Sequence, residues 1–84
     1  MKVFAWEAID NFNDWAEFDQ FRAWIASELE SGVAISQPVV QSYRNLDAFK
    51  EEWFEHTASK EVWRLVWPEP PFAGIFEKVV NQRL

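Results

Sequence analysis

The chain has 84 residues, a formal net charge of −6, no cysteine and fifteen aromatic side chains. This length corresponds to one domain, residues 1–84, and the missing cysteines exclude disulfide bonds, thiolate nucleophiles and thiolate metal ligands. We expect a soluble, cytoplasmic protein, because we find no apolar signal sequence and no apolar run near the ~20 residues of a membrane span.

The first third of the chain predicts a strand followed by a helix. Apolar residues alternate over residues 2–9, which is typical of a strand. Asp14 is placed to cap a helix over residues 15–31, Glu17 lies where a carboxylate complements the helix dipole, and Gly32 is placed to end the helix. The residues predicted to form its core-facing stripe are Phe18, Phe21, Ile25 and Leu29, with Trp15 at the edge of the stripe.

The middle of the chain predicts a second strand and a second helix. Residues 33–43 have strand composition, but Pro38 lacks the N–H group that a central strand needs. This segment is therefore expected to be an edge strand, a bulged strand or two short pieces. Asn45 is placed to cap a helix over residues 46–58, with Leu46, Phe49 and Trp53 on its apolar stripe.

The last third predicts two strands joined by a proline-rich turn. Residues 60–67 alternate, which places Trp63, Leu65 and Trp67 on one inward face. The Pro-Glu-Pro-Pro sequence at 68–71 cannot continue a ladder of hydrogen bonds, so it must turn before a final strand at 72–80. The predicted fold class is α+β in the order β-α-β-α-β-β, a two-layer sandwich with two helices packed on one face of a small mixed four-stranded sheet.

The residues that usually carry catalysis are scarce, which argues against an enzyme. His56 is the only histidine, and with Glu52 at helical spacing it supplies two ligands, too few for a transition-metal site. No serine lies in a G-x-S-x-G motif, and two distant glycines cannot form a phosphate-binding loop. We therefore expect no catalytic residue, no metal and no cofactor.

Negative charge is concentrated in residues 1–31, which carry seven of the fourteen acids and two of the eight bases. Nucleic-acid binding depends on Lys and Arg side chains that neutralise phosphates, so this distribution disfavours direct binding. It is compatible with a protein partner that is basic or itself binds nucleic acid, and equally with a simple requirement for solubility.

Trp24 is the main anomaly of the first predicted helix. It projects away from the apolar stripe, between Glu17 and Glu28. An aromatic anchor inside a charged rim is typical of an interface hot spot, although a tryptophan covered by another part of the chain gives the same pattern. Phe54 falls off the stripe of the second helix in the same way, and the rigid proline turn lowers the entropy cost of binding. The predicted partner-binding residues are Asp14, Glu17, Asp19, Gln20, Trp24, Glu28, Phe54, Pro68, Glu69 and Pro70.

The function predicted from these features is a small, acidic, non-catalytic protein-binding module. By analogy of size and charge alone, such a module would serve as an inhibitor, an immunity-type protein or an anti-defence protein of a phage or mobile element. Two alternatives stay open at this point. One is a small-ligand-binding domain with an aromatic pocket, and the other is a structural homodimer joined through exposed rings.

Overall fold

One helix packs against a four-stranded antiparallel sheet in the computed structural model, which describes residues 4–45 and 49–79. Helix α1 (Trp15–Glu30) precedes strands β1 (Ala34–Gln37), β2 (Glu51–His56), β3 (Glu61–Val66) and β4 (Ile75–Lys78). The strands neighbour one another in chain order, and each pair is antiparallel. The α+β class predicted from the sequence is confirmed.

Helix α1 forms where its capping residues predict it. The Asp14 side chain accepts a hydrogen bond from the Glu17 N–H at 2.8 Å, as expected of an N-cap. Gly32 adopts a φ of +83°, the left-handed conformation that favours glycine after a helix, and donates to the Leu29 carbonyl at 3.2 Å. Phe18 and Phe21 are fully enclosed against the sheet, so the predicted stripe is the buried face.

The predicted second helix is wrong, because residues 51–56 form strand β2. Trp53 and Phe54 are adjacent and both buried, on opposite faces of the sheet. A strand covered on both faces loses the polar alternation that identifies strands, and the Glu-rich sequence then fits a helical period instead. Residues 46–48, including the predicted stripe residue Leu46, lie outside the described residues.

The predicted first strand is also wrong over its described part. From Phe4 to Ile9 the only strand-like pairing is between Ile9 and Phe76, which exchange backbone hydrogen bonds of 2.7 and 2.9 Å. Residues 2 and 3 lie outside the described residues. Each strand pairs with the next one along the chain in antiparallel orientation, so the sheet is an antiparallel meander in place of the predicted mixed sheet.

Strand β1 lies at an edge of the sheet and ends directly before Pro38, one of the three outcomes predicted for this segment. The main core lies between α1 and the sheet. Its buried members are Phe12, Phe18, Phe21, Ile25, Phe54, Trp63, Leu65 and Phe76. Aromatic side chains therefore supply most of the core volume that an 84-residue chain needs.

Part of the opposite sheet face is covered by a second aromatic cluster. The Phe49 ring lies 4.7 Å from Phe72, which lies 5.9 Å from Tyr43. The Glu51 carboxylate ties this cluster to the sheet, since it accepts from the Tyr43 N–H at 2.8 Å and lies 3.2 Å from Arg64 Nε. Among the described residues, no helix has both the length and the apolarity required to cross a membrane.

Candidate partner-binding surface

Trp24 is half-buried beneath the N-terminal segment. Its ring centroid lies 5.3 Å from that of Trp6 and 6.2 Å from that of Phe4. Trp6 also donates its indole N–H to Glu28 at 2.8 Å. Two predicted partner-binding residues, Trp24 and Glu28, are thus engaged by the protein's own chain. The covering contact comes from residues far away in sequence, which a helical projection does not include.

The remaining predicted residues of α1 divide into capping and exposed groups. Asp14 caps the helix, and Glu17 accepts a hydrogen bond from the Asn13 N–H at 2.6 Å. Asp19 and Gln20 are exposed one turn further along. Phe54 is 2% exposed and belongs to the core, so it offers no surface to a partner. The structure therefore leaves the start of α1 as the accessible part of the predicted helix surface.

The proline turn is a tight tip between β3 and β4. Glu69 and Phe72 exchange backbone hydrogen bonds of 2.9 and 2.8 Å across Pro70 and Pro71, whose peptide bond is cis. Gly74 has a φ of +85° and packs closely against Pro68. A Cβ at this position would lie 3.0 Å from three atoms of the Pro68 ring. This close approach requires glycine, and it fixes the position of the tip relative to β4.

A surface depression of about 270 Å³ separates the tip from the start of α1. We call it the Trp15 depression. Its lining residues are Phe12, Asn13, Asp14, Trp15, Pro68, Pro70, Pro71, Phe72 and Ala73. A hydrogen bond of 3.2 Å from the Phe12 N–H to the Ala73 carbonyl joins its two walls. Asp14 and the prolines, which the sequence placed in two separate candidate regions, thus share one site.

Trp15 is the candidate binding residue that sequence reasoning missed. Its side chain is 53% exposed, although its ring touches Phe18 at a centroid distance of 5.8 Å. The helical projection placed it at the edge of the buried stripe, and at the first position of the helix no preceding turn covers it. The only signal for it in the sequence is a tryptophan at the first helical position, directly after the predicted cap Asp14.

The charged residues at the Trp15 depression are acidic. Asp14 lines it, Glu69 is exposed at the tip, and none of the lining residues is basic. The nearest base along the helix, Arg22, is engaged elsewhere, with its guanidinium 4.3 Å from the centre of the Trp67 ring. A complementary partner surface would therefore present a basic group beside an apolar side chain.

The described residues contain no group of three or more His, Cys, Asp or Glu side chains placed to hold a metal ion. His56 lies in strand β2 and contacts Ser59 Oγ at 2.9 Å, while Glu52 accepts from the Trp67 indole at 2.8 Å. The predicted contact between His56 and Glu52 is thus replaced by separate contacts for each residue.

Comparison with known proteins gives no relative: no family model, no curated protein and no solved structure matches this chain.

Proposed function

We propose that this protein is a small, acidic, non-catalytic protein-binding module that holds its partner at the Trp15 depression. The observation that carries the proposal is Trp15 itself, a large ring 53% exposed beside a depression with rigid proline walls. Tryptophan is the residue type most enriched at binding hot spots, where an aromatic anchor and an adjacent pocket engage the partner together.

The rigidity of both walls supports this role. One wall is the capped first turn of α1, and the other is a tip closed by two backbone hydrogen bonds between Glu69 and Phe72. A surface that is already ordered loses little conformational entropy on binding, so more of the contact energy appears as affinity. The same argument favours a partner that inserts one side chain over one that needs the depression to reshape.

The acidic rim selects the chemistry of the partner. Asp14 and Glu69 stand near the depression, and residues 1–31 carry the largest excess of acids in the chain. Charges at the rim of an interface act mainly on the association rate and on its salt dependence. We propose a partner with Lys or Arg around an apolar anchor. The module would act as an inhibitor by covering that basic surface.

The test uses variants that separate the ring from the charge. Trp15→Ala removes the anchor. Asp14→Asn combined with Glu69→Gln removes two charges and keeps the helix cap, because Asn caps as well as Asp. Ile35→Ala is the matched control, since Ile35 is 46% exposed and lies outside the depression. Each tagged variant is used to capture partners, and the captured partner is then purified and titrated against each variant.

Trp15→Ala should weaken binding by more than ~2 kcal/mol, the usual loss at a hot spot. The charge variant should slow association and flatten its salt dependence, and Ile35→Ala should bind like the wild type. Equal binding by the Trp15 variant and the wild type would refute the proposal. Light scattering of the isolated protein tests the homodimer alternative, because a stable dimer that Trp15→Ala dissociates would assign the surface to self-association.

A further inference from the structure

A second concave surface lies on the sheet face that points away from α1. It is a groove of about 710 Å³, and its lining includes Pro38, Val40, Trp53, Lys60, Val62 and Val79. We call it the sheet groove. It shares no lining residue with the Trp15 depression and does not depend on the function proposed for that site.

The floor of the sheet groove is the part of the sheet face that the Tyr43–Phe49–Phe72 cluster leaves open. Val62 and Val79 are neighbours there, since the Val79 N–H donates to the Val62 carbonyl at 2.7 Å. The wall opposite is apolar as well, and its Val40 is 78% exposed, the largest exposure among the described large apolar residues. An apolar concavity of this kind is the type of surface in which small ligands bind.

Three charged residues line the rim of the groove, Lys60, Lys78 and Glu61, which gives it a net charge of +1 on an acidic chain. Lys78 pairs with Glu61 at 3.0 Å, whereas Lys60 makes no ion pair within the part of the chain that the structure describes. Lys60 also has a φ of +67°, in the left-handed region where glycine or asparagine is favoured. The turn therefore holds a strained lysine beside an apolar groove, and a strained residue is a reason to look for a function.

We propose that the sheet groove binds a small amphipathic carboxylate, such as a medium-chain fatty acid. The apolar tail lies over Trp53, Val62 and Val79, and the carboxylate pairs with the Lys60 ammonium. The volume of about 710 Å³ is typical of small-ligand sites, which occupy ~300–1,000 Å³ and combine an apolar lining with a few polar groups. Charge complementarity selects an anion over a neutral or cationic amphiphile.

The experiment titrates ¹⁵N-labelled full-length protein with decanoate and follows backbone amide shifts. The matched probe is decyltrimethylammonium, which has the same tail and the opposite charge. The key variant is Lys60→Asn, and its control is Arg44→Asn. Arg44 also has a positive φ, of 54°, and lies outside the groove, so both variants lose one charge and relieve the same kind of strain. Both should unfold at or above the wild-type temperature, which separates lost binding from lost folding.

The expected result is that decanoate shifts the amides of Val62 and Val79, and that decyltrimethylammonium does so more weakly. Lys60→Asn should lower the decanoate affinity by about 1.4- to fivefold, the range measured for exposed ion pairs, and Arg44→Asn should leave it unchanged. Val40→Asp should lower it further, because it removes an apolar wall and adds a repelling charge to the rim.

Three outcomes would overturn the proposal. The first is the absence of shifts at Val62 and Val79, and the second is equal affinity for the two probes. The third is evidence that a different partner occupies the groove. A second copy of the chain would show as a concentration-dependent dimer in which these amides are protected. A membrane surface would show as binding to phosphatidylglycerol vesicles without binding to free decanoate.

Discussion

Substitution of Gly74 tests whether the close approach of Pro68 fixes the proline tip. Gly74→Ala adds a Cβ at a φ of +85°, and that atom would lie 3.0 Å from the backbone nitrogen and two ring carbons of Pro68. The left-handed conformation costs a non-glycine residue ~1–2 kcal/mol. Overpacking against atoms that cannot rotate away costs a further ~1–3 kcal/mol. We expect a total destabilisation of about 2–5 kcal/mol.

Gly32→Ala is the matched control for this prediction. Gly32 has nearly the same φ, +83°, but a Cβ there would have nothing within 4 Å. Gly32→Ala should therefore lower the free energy of unfolding only by the cost of the left-handed conformation, ~1–2 kcal/mol. Thermal unfolding followed by circular dichroism compares the two. At ~4–8 °C per kcal/mol for a domain of this size, Gly74→Ala should melt at least ~4 °C below Gly32→Ala. Equal melting temperatures would show that the Pro68 contact does not constrain the tip.

Three further predictions follow from single contacts. Asp14→Ala should lower the free energy of unfolding by ~1 kcal/mol in urea titrations, whereas Asp14→Asn should change it little. In acrylamide quenching of tryptophan fluorescence, Trp24→Phe should remove a shielded component, and Trp15→Phe should remove the most readily quenched one. The hydrogen bond from Lys78 lowers the pKa of Glu61 below its ordinary value of 4.5. This pair therefore stabilises the fold above about pH 4.5 and loses its contribution as the pH falls through the folded-state pKa. Carboxyl NMR titration of Lys78→Met should show the Glu61 pKa moving upward.

Each of these predictions has a clear contrary result. Equal destabilisation by both Asp14 variants would mean that the side-chain charge matters and the cap does not. A readily quenched component that disappears in Trp24→Phe would mean that Phe4 and Trp6 do not cover this ring in solution. An unchanged Glu61 titration in Lys78→Met would assign the lowered pKa to the smaller contributions of Ser59 and His56.

Helix α1 and the proline tip were predicted because their signals are local. The capping bond from Asp14, the left-handed Gly32 and the spacing of Phe18 and Phe21 all act within a few turns of chain. The inward face of β3 was predicted for a similar reason, since Trp63 and Leu65 are two residues apart on either side of Arg64, and both are buried. The candidate site was predicted in part: Asp14, Pro68 and Pro70 line the Trp15 depression.

The sequence by itself predicted the capped helix α1, an aromatic core, a rigid turn and, as one of three alternatives, an edge strand at Pro38. Only the tertiary structure decided that residues 51–56 are a strand, that Trp6 covers Trp24, and that the tip meets the start of α1. The physical reason is that hydrophobic periodicity reports that a side chain is buried but not what buries it. Periodicity therefore does not identify a strand that is covered on both faces, and it does not show that a distant segment covers a helix face.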